Sequence, residues 1–290
     1  ATIKGTYLDN YKAIWDLYIT DSATTGAALT GGQDGTVQSA AYSAYLTAIE
    51  PYKFDVMVYD GTDSTVQTAL LSFIKRVNEN NGQYCQLVAS GLSNPNSRYV
   101  INVDSPVTLS DGTELTEQQV TWWLGGAEAG ARYNESLTYA QYPGAVSTTM
   151  QTVDQFSQAV QAGNLVLFAE DGVVKIMQDI NSLVSYTEDI GEVYSKNRVM
   201  RLCNTIANDI FQQFSANFIG VVNNNEQGRA RFQAAIVGYL QEIQDNQGIQ
   251  NFTAEDVEVL AGTAIDAIVV NVAIQAVDSV EKIYMTIEVS

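Results

Sequence analysis

The residues best placed to do chemistry lie in the stretch Tyr59-Asp60-Gly61-Thr62-Asp63-Ser64. An Asp-x-Thr-x-Ser pattern between a strand-like and a helix-like run offers one carboxylate and two hydroxyls. Those are the hard oxygens that suit Mg²⁺, as in metal-dependent adhesion modules. The same residues also make an acidic loop with Ser64 capping the next helix, and the brevity of the pattern favours that account. No distant ligands are identifiable, so no metal or cofactor is assigned. Gly125-Gly126-Ala127-Glu128-Ala129-Gly130 has the glycine density of a phosphate loop but lacks its lysine and continues a helical run, so it reads as a face for close packing. Asp34, Asp55, Asp60, Asp111, Asp171 and Asp179 could include a carboxylate pair for acid–base work. With 33 acidic residues chance proximity is expected, and solvated turns account for most of them. The chain has no histidine, which excludes Ser-His-Asp and Cys-His catalysis and His-bearing zinc sites. Cys85 and Cys203 sit in apolar runs and read as buried free thiols. No catalytic set emerges, and the chain is not expected to be an enzyme.

Charge sharpens the exclusions. Over 290 residues, 33 acidic side chains face 14 basic ones, a formal net of −19. A polyanion is repelled by nucleic acid and by anionic membrane surfaces, so direct contact with either is not expected. No run approaches the roughly 20 apolar residues of a membrane span, so no membrane insertion is expected. Against this background Arg198, Arg201, Arg229 and Arg231 gather on two carboxy-terminal helical runs. They form either a basic strip facing an acidic partner or ordinary pairs with Asp209, Glu226 and Glu242. Both readings stay open.

The elements that must position these groups follow from periodicity. Hydrophobic residues make up 46% of the chain, enough for a real core. Residues 2–19 could give one or two strands, and Thr36 could cap a helix over 37–49. Residues 54–59 form a compact strand. Ser64 opens a helix whose Val66, Ala69, Leu70, Phe73, Ile74 and Val77 fall on one stripe, and strands follow at 84–89 and 99–103. Strand, helix, strand at this spacing is a βαβ unit, hence a parallel sheet with helices on its faces. Thr116 with Gln119, and Thr152 with Gln155, are capping boxes that open two further helices. Residues 165–169 and 173–177 flank Asp171-Gly172 as a hairpin. After a composition shift at 188–196 come two amphipathic helices, one with Val199, Leu202, Ile206, Ile210 and Phe214, the other with Phe232, Ile236, Leu240 and Ile243.

The chain closes on period-two alternation. Ile268, Val270, Val272, Ile274 and Ala276 alternate, Asp278-Ser279 interrupts, and Ile283, Met285, Ile287 and Val289 then share one face. We read residues 264–290 as a β-hairpin arm. A long terminal strand with a free edge must be paired in its own sheet or added to another molecule's.

Several blocks together are similar to the contractile tail sheath proteins of phages and phage-like particles. They are Leu29-Thr30-Gly31-Gly32-Gln33-Asp34-Gly35; Gly125 to Gly130 with Ser136-Leu137-Thr138-Tyr139; Ala162-Gly163-Asn164-Leu165-Val166-Leu167 with Asp179-Ile180-Asn181-Ser182-Leu183; Arg198-Val199-Met200-Arg201; Phe218-Ile219-Gly220-Val221-Val222-Asn223; and Val277-Asp278-Ser279-Val280-Glu281-Lys282-Ile283. The resemblance implies an α/β fold, a central sheet flanked by helices with subtilisin-like topology, followed by a carboxy-terminal α+β domain ending in the hairpin arm. It divides the chain into a lead-in at 1–30, a sheath domain at 31–190 and a carboxy-terminal domain at 191–290. It implies a structural subunit that polymerises helically around a tail tube and contracts to drive the tube through a cell envelope. The partners implied are further copies of itself, the tail tube protein, and baseplate and tail terminator proteins. The location implied is a virion or phage-like tail assembled in the host cytoplasm. A secretion-system or bacteriocin sheath is an equal reading. An amino-terminal arm and an inserted outer domain of the family are not visible in the chain, and the short lead before Leu29 is read as their absence or removal. Strand addition is expected through Val270, Val272, Ile274, Ile283, Met285, Ile287 and Val289, and tube contact through Lys196, Arg198 and Arg201.

Overall fold

A computed structural model describes residues 39–149, 152–281 and 285–286. The first helix, α1 (Ser39–Ile49), leads into β1 (Val56–Val58), α2 (Ser64–Glu79), β2 (Gln86–Ser90) and β3 (Val100–Val103). β1 pairs parallel with β2 and β2 parallel with β3, which is the βαβ arrangement read from the sequence. The apolar stripe of α2, with Val66, Leu70, Phe73, Ile74 and Val77, covers one face against Met57, Leu87, Ala89 and Val100. Successive side chains of a strand point to opposite faces, so Val88, Ile101 and Val103 enter a second core instead. Every residue of β2 and β3 is buried, as expected of parallel strands covered on both sides.

The other face is covered by α3 (Glu117–Gly130), which contributes Val120 and Leu124. Its cap is the predicted box: Thr116 Oγ1 accepts from the Gln119 N–H and Gln119 Oε1 accepts from the Thr116 N–H. α4 (Val153–Gln161) starts with the second box, from Thr152 and Gln155. The cap of α2 differs from expectation. Asp63, not Ser64, accepts from the N–H groups of Thr65 and Val66; its carboxylate reaches two orphan donors of the first turn.

Around this sheet lie β4 (Val107–Leu109), β5 (Glu114–Leu115) and β6 (Ala145–Thr148) in the antiparallel order β5-β4-β6. Next, β7 (Asn164–Leu165) joins the parallel sheet beside β3, an edge that the sequence reading assigned to the hairpin. The hairpin itself is β8 (Leu167–Glu170) and β9 (Val173–Ile176). Its turn has φ of 51° at Asp171 and 75° at Gly172, the two left-handed positions of a type I′ turn.

The carboxy-terminal part packs α5 (Asn197–Asn217) and α6 (Glu226–Asp245) against short strands β10 (Ile249–Gln250), β11 (Val257–Ala261), β12 (Ile268–Val272) and β13 (Gln275–Ala276). Phe232 sits 4.9 Å from Phe214 and 4.7 Å from Phe218, ring centre to centre, and closes the end of the two helices. Here the pairing departs from the sequence reading. β12 pairs antiparallel with β11, and β13 with β10, so the first half of the expected hairpin finds its partners upstream. The reason is burial: Val257 and Val259 are buried while Glu258 and Leu260 are exposed, an alternation that complements Ile268, Val270 and Val272. Lys282, Ile283, Tyr284, Ile287, Glu288 and Val289 lie outside the described residues, as do residues 1–38 with Asp34 and Thr36. No helix of the described residues is long and apolar enough to cross a membrane.

Two adjacent glycines of α3 give a test of how α3 meets the sheet. A Cβ on Gly125 would lie 2.2 Å from Val58 Cγ2, whereas one on Gly126 meets nothing within 4 Å. Gly125→Ala is expected to destabilise the chain by about 1–3 kcal/mol through overpacking. Gly126→Ala should stabilise it by about 0.5–1 kcal/mol through helix propensity. Urea midpoints of the two variants measure the difference, and equal midpoints would contradict the close approach of α3 to β1.

Candidate functional site: a buried ionic junction and a strand edge

Among the described residues, three buried charges meet where α3, the segment after β9 and the start of α5 come together. Arg201 on α5 pairs through Nη1 with Glu128 on α3, and its Nη2 donates to Asp179 Oδ2 at 2.8 Å and to the Glu135 carbonyl at 2.7 Å. Asn197, one turn earlier on α5, donates to Asp179 Oδ1 at 2.9 Å and to Glu128 Oε1 at 3.3 Å, and accepts from Gln86 of β2 at 3.2 Å. The Leu137 N–H completes the set on Asp179 at 2.9 Å. Glu128, Asp179 and Asn197 are at most 2% exposed and Arg201 8%. Gly125, one turn before Glu128, is where α3 lies closest against Val58 of the sheet.

One guanidinium faces two carboxylates, and their environments separate them. Burial, then the neighbouring Asp179, push the Glu128 carboxyl well above its ordinary range, more than Arg201 lowers it. Burial pushes Asp179 up as well, but Arg201, the Leu137 N–H and Asn197 outweigh it and hold that carboxyl below its usual value. Asp179 is therefore the anion that Arg201 neutralises, and Glu128 is the member that holds a proton.

The three residues expected to touch the tube lie in and beside this junction. Arg201 and Arg198 are buried, and Arg198 Nε has no hydrogen-bond partner among the described residues. Lys196 pairs with Glu281, which also accepts from Gln178 Nε2 at 2.6 Å and Thr138 Oγ1 at 2.7 Å. Buried and ion-paired side chains do not present a basic strip to a partner. Arg229 donates to Asn224 at 3.1 Å, Arg231 is exposed, and Asp209 accepts from the Tyr239 hydroxyl. The signal for the junction was present in the sequence. Glu128, Asp179 and Arg201 each sit in one of the blocks that carried the family resemblance, and Glu128 is a lone charge among small residues.

The remaining candidates are placed as follows. Asp60 accepts from the Trp122 indole at 2.9 Å and Asp63 caps α2, so both carboxylates of the adhesion-like loop are engaged. Asp111 accepts from the Thr113 N–H within its turn. Cys85 and Cys203 are free thiols; burial pushes them up to about 12 and about 11. Val270, Val272 and Ile274 are half-buried against the carboxy-terminal core. Their strand, β12, has one paired edge, to β11, and its outer edge carries no partner among the described residues. Met285 is 75% exposed.

Buried ions thus pin a mixed α/β platform to a helical, strand-edged module. Residues 35–182 match the family model for the phage tail sheath protein central domain and residues 189–290 that for the phage tail sheath C-terminal domain. The chain belongs to the phage tail sheath family. It is similar to the sheath tail protein of Desulfitobacterium hafniense, with 38% identity and a TM-score of 0.81 over 90% of this chain and 62% of that one. It is 31% identical to the phage-like element PBSX protein XkdK of Bacillus subtilis over 93% of this chain and 60% of the relative. In fold alone it resembles the helical sheath of the anti-feeding prophage in the contracted state, with 16% identity and a TM-score of 0.65, covering 86% of this chain and 73% of that one. The chain spans about 60% of the length of the curated relatives that it matches.

The ionic junction generates a paired test. Arg201→Met leaves the buried Asp179 anion without its cation and is expected to cost about 3–5 kcal/mol. Glu128→Gln mimics the protonated carboxyl and should be far milder. A carboxyl raised in the folded state contributes stability that is present at low pH and lost as pH rises through its folded value. A depressed one, such as Asp179, contributes stability that is lost as pH falls. The stability of Glu128→Gln relative to the parent should therefore improve from pH 5 to pH 9. Urea unfolding across that range reads it, and a Glu128→Gln loss as large as that of Arg201→Met would refute the assignment.

Proposed function

We propose that this chain is the central and carboxy-terminal part of a tail sheath subunit, which polymerises helically around a tail tube and contracts to drive the tube through a cell envelope. The observation that carries the reading is the consecutive match of both sheath family models along the chain. The division into domains at 31–190 and 191–290, and the subtilisin-like topology of the first, belong to this reading. So do the partners: further copies of the chain, a tail tube protein, and baseplate and tail terminator proteins. The site of action is a virion or phage-like tail, assembled in the host cytoplasm. The chain works without catalysis; its histidine-free sequence has no protease triad.

The linkage between subunits is strand addition. The unpaired edge of β12 offers backbone donors and acceptors, while Val270, Val272 and Ile274 stay packed beneath it. The run beyond Glu281, with Ile283, Met285, Ile287 and Val289 on one face, is the strand handed to a neighbour. Main-chain pairing of this kind survives rotation of the compact bodies that it joins, so polar contacts between bodies can be exchanged without loss of connection.

Electron microscopy of the chain mixed with tail tubes, beside a version ending at Glu281, tests this. Ending at Glu281 spares β12 and β13, which the core requires. Sheathed tubes or stacked rings are expected from the uncut chain and dispersed particles from the shortened one. Dispersed particles from both would overturn the reading.

A further inference from the structure

The deepest polar contact made by the last described stretch is that of Glu281, and neither the ionic junction nor the exposed edge of β12 requires it. Its carboxylate is 10% exposed and takes three donors from three separate segments: Lys196 at the start of α5, Gln178 after β9, and Thr138 in the loop before β6. Thr138 Oγ1 also accepts from the Asp179 N–H at 2.9 Å. The grip of Glu281 therefore lies on the outer side of the same segment whose carboxylate holds Arg201. By contrast, the strand just before it is weakly held. β13 has two residue pairs with β10, and Val277 N–H adds one bond to the Gly248 carbonyl at 3.0 Å. Val280, between these ties, is 86% exposed.

We propose that Glu281 is the fixed root of the terminal linking strand, the point at which tension on that strand enters the body of the subunit. This rests on the strand-exchange reading above. Without the clasp, a pull from residue 282 onwards would load the β13 bonds one after another and peel them. With it, the pull meets Glu281 first and is divided among Thr138, Gln178 and Lys196. From there it passes into the segment fixed by Asp179, Asn197 and Arg201. Charge-assisted bonds to a part-buried carboxylate are the strong kind, and three held in parallel must break together.

Glu281→Gln keeps the shape and removes the charge; Lys196→Met removes the cation from the other side. Hydrogen–deuterium exchange on the whole chain should show the amides of Gln275, Ala276 and Val277 exchanging roughly ten-fold faster or more in either variant. The β11–β12 amides should slow or quicken far less than those of β13, and the melting temperature should fall by only a few degrees. Exchange at β13 as slow as in the parent would overturn the root. Sheaths assembled from Glu281→Gln are then sheared in flow and imaged: shorter fragments than the parent gives are expected. Fragments of parental length, despite faster exchange, would overturn the role in tension. Should the version ending at Glu281 assemble as well as the uncut chain, it is the strand-exchange reading that fails and not the clasp, which exchange reports by itself.

Discussion

A guanidinium with 8% of its surface in contact with solvent is the constraint on which this fold turns. A charge there is tolerable only when its counter-charges and hydrogen-bond acceptors are already in place. For Arg201 those are Glu128 on α3, Asp179 after β9 and the Glu135 carbonyl, with Asn197 bridging to β2 through Gln86. None of these elements can shift alone without stranding a charge. The junction thus forces the parallel sheet, its covering helix and the carboxy-terminal helices to assemble as one arrangement, consistent with residues 39–290 forming a single compact unit.

Two cores flank the parallel sheet and a third lies between α5, α6 and the short strands. The ionic group sits among them and is not a part of any one of them. Apolar packing is non-directional and sets how much surface is buried; hydrogen-bonded charges set the orientation in which it is buried.

What the sequence made legible was local. A capping box needs four residues, and both boxes, at Thr116 and Thr152, are present as read. The stripe of α2 and the Asp171-Gly172 turn are likewise short-range patterns. Partner choice was not legible. The alternation over 268–276 reads as one strand with its mate beyond Asp278-Ser279; it is two, Ile268–Val272 and Gln275–Ala276, and Val257–Ala261 offers the first the same alternation from the other side. Nothing in period two distinguishes an upstream from a downstream partner; only the depth at which Val257 and Val259 are buried does so. The arginines failed for a related reason. A basic residue on an amphipathic helix reads as surface until the structure supplies Glu128 and Asp179, which lie 73 and 22 residues away in the chain.

The two thiols carry a last consequence. Cys85 and Cys203 are held protonated by burial, far above neutral pH, and the thiolate is the form that exchanges and oxidises. In the assembly proposed above, neighbouring copies would therefore not exchange disulfides through these two thiols. A sheath of such copies, as proposed above, would carry no covalent seam through either thiol to resist a change of shape.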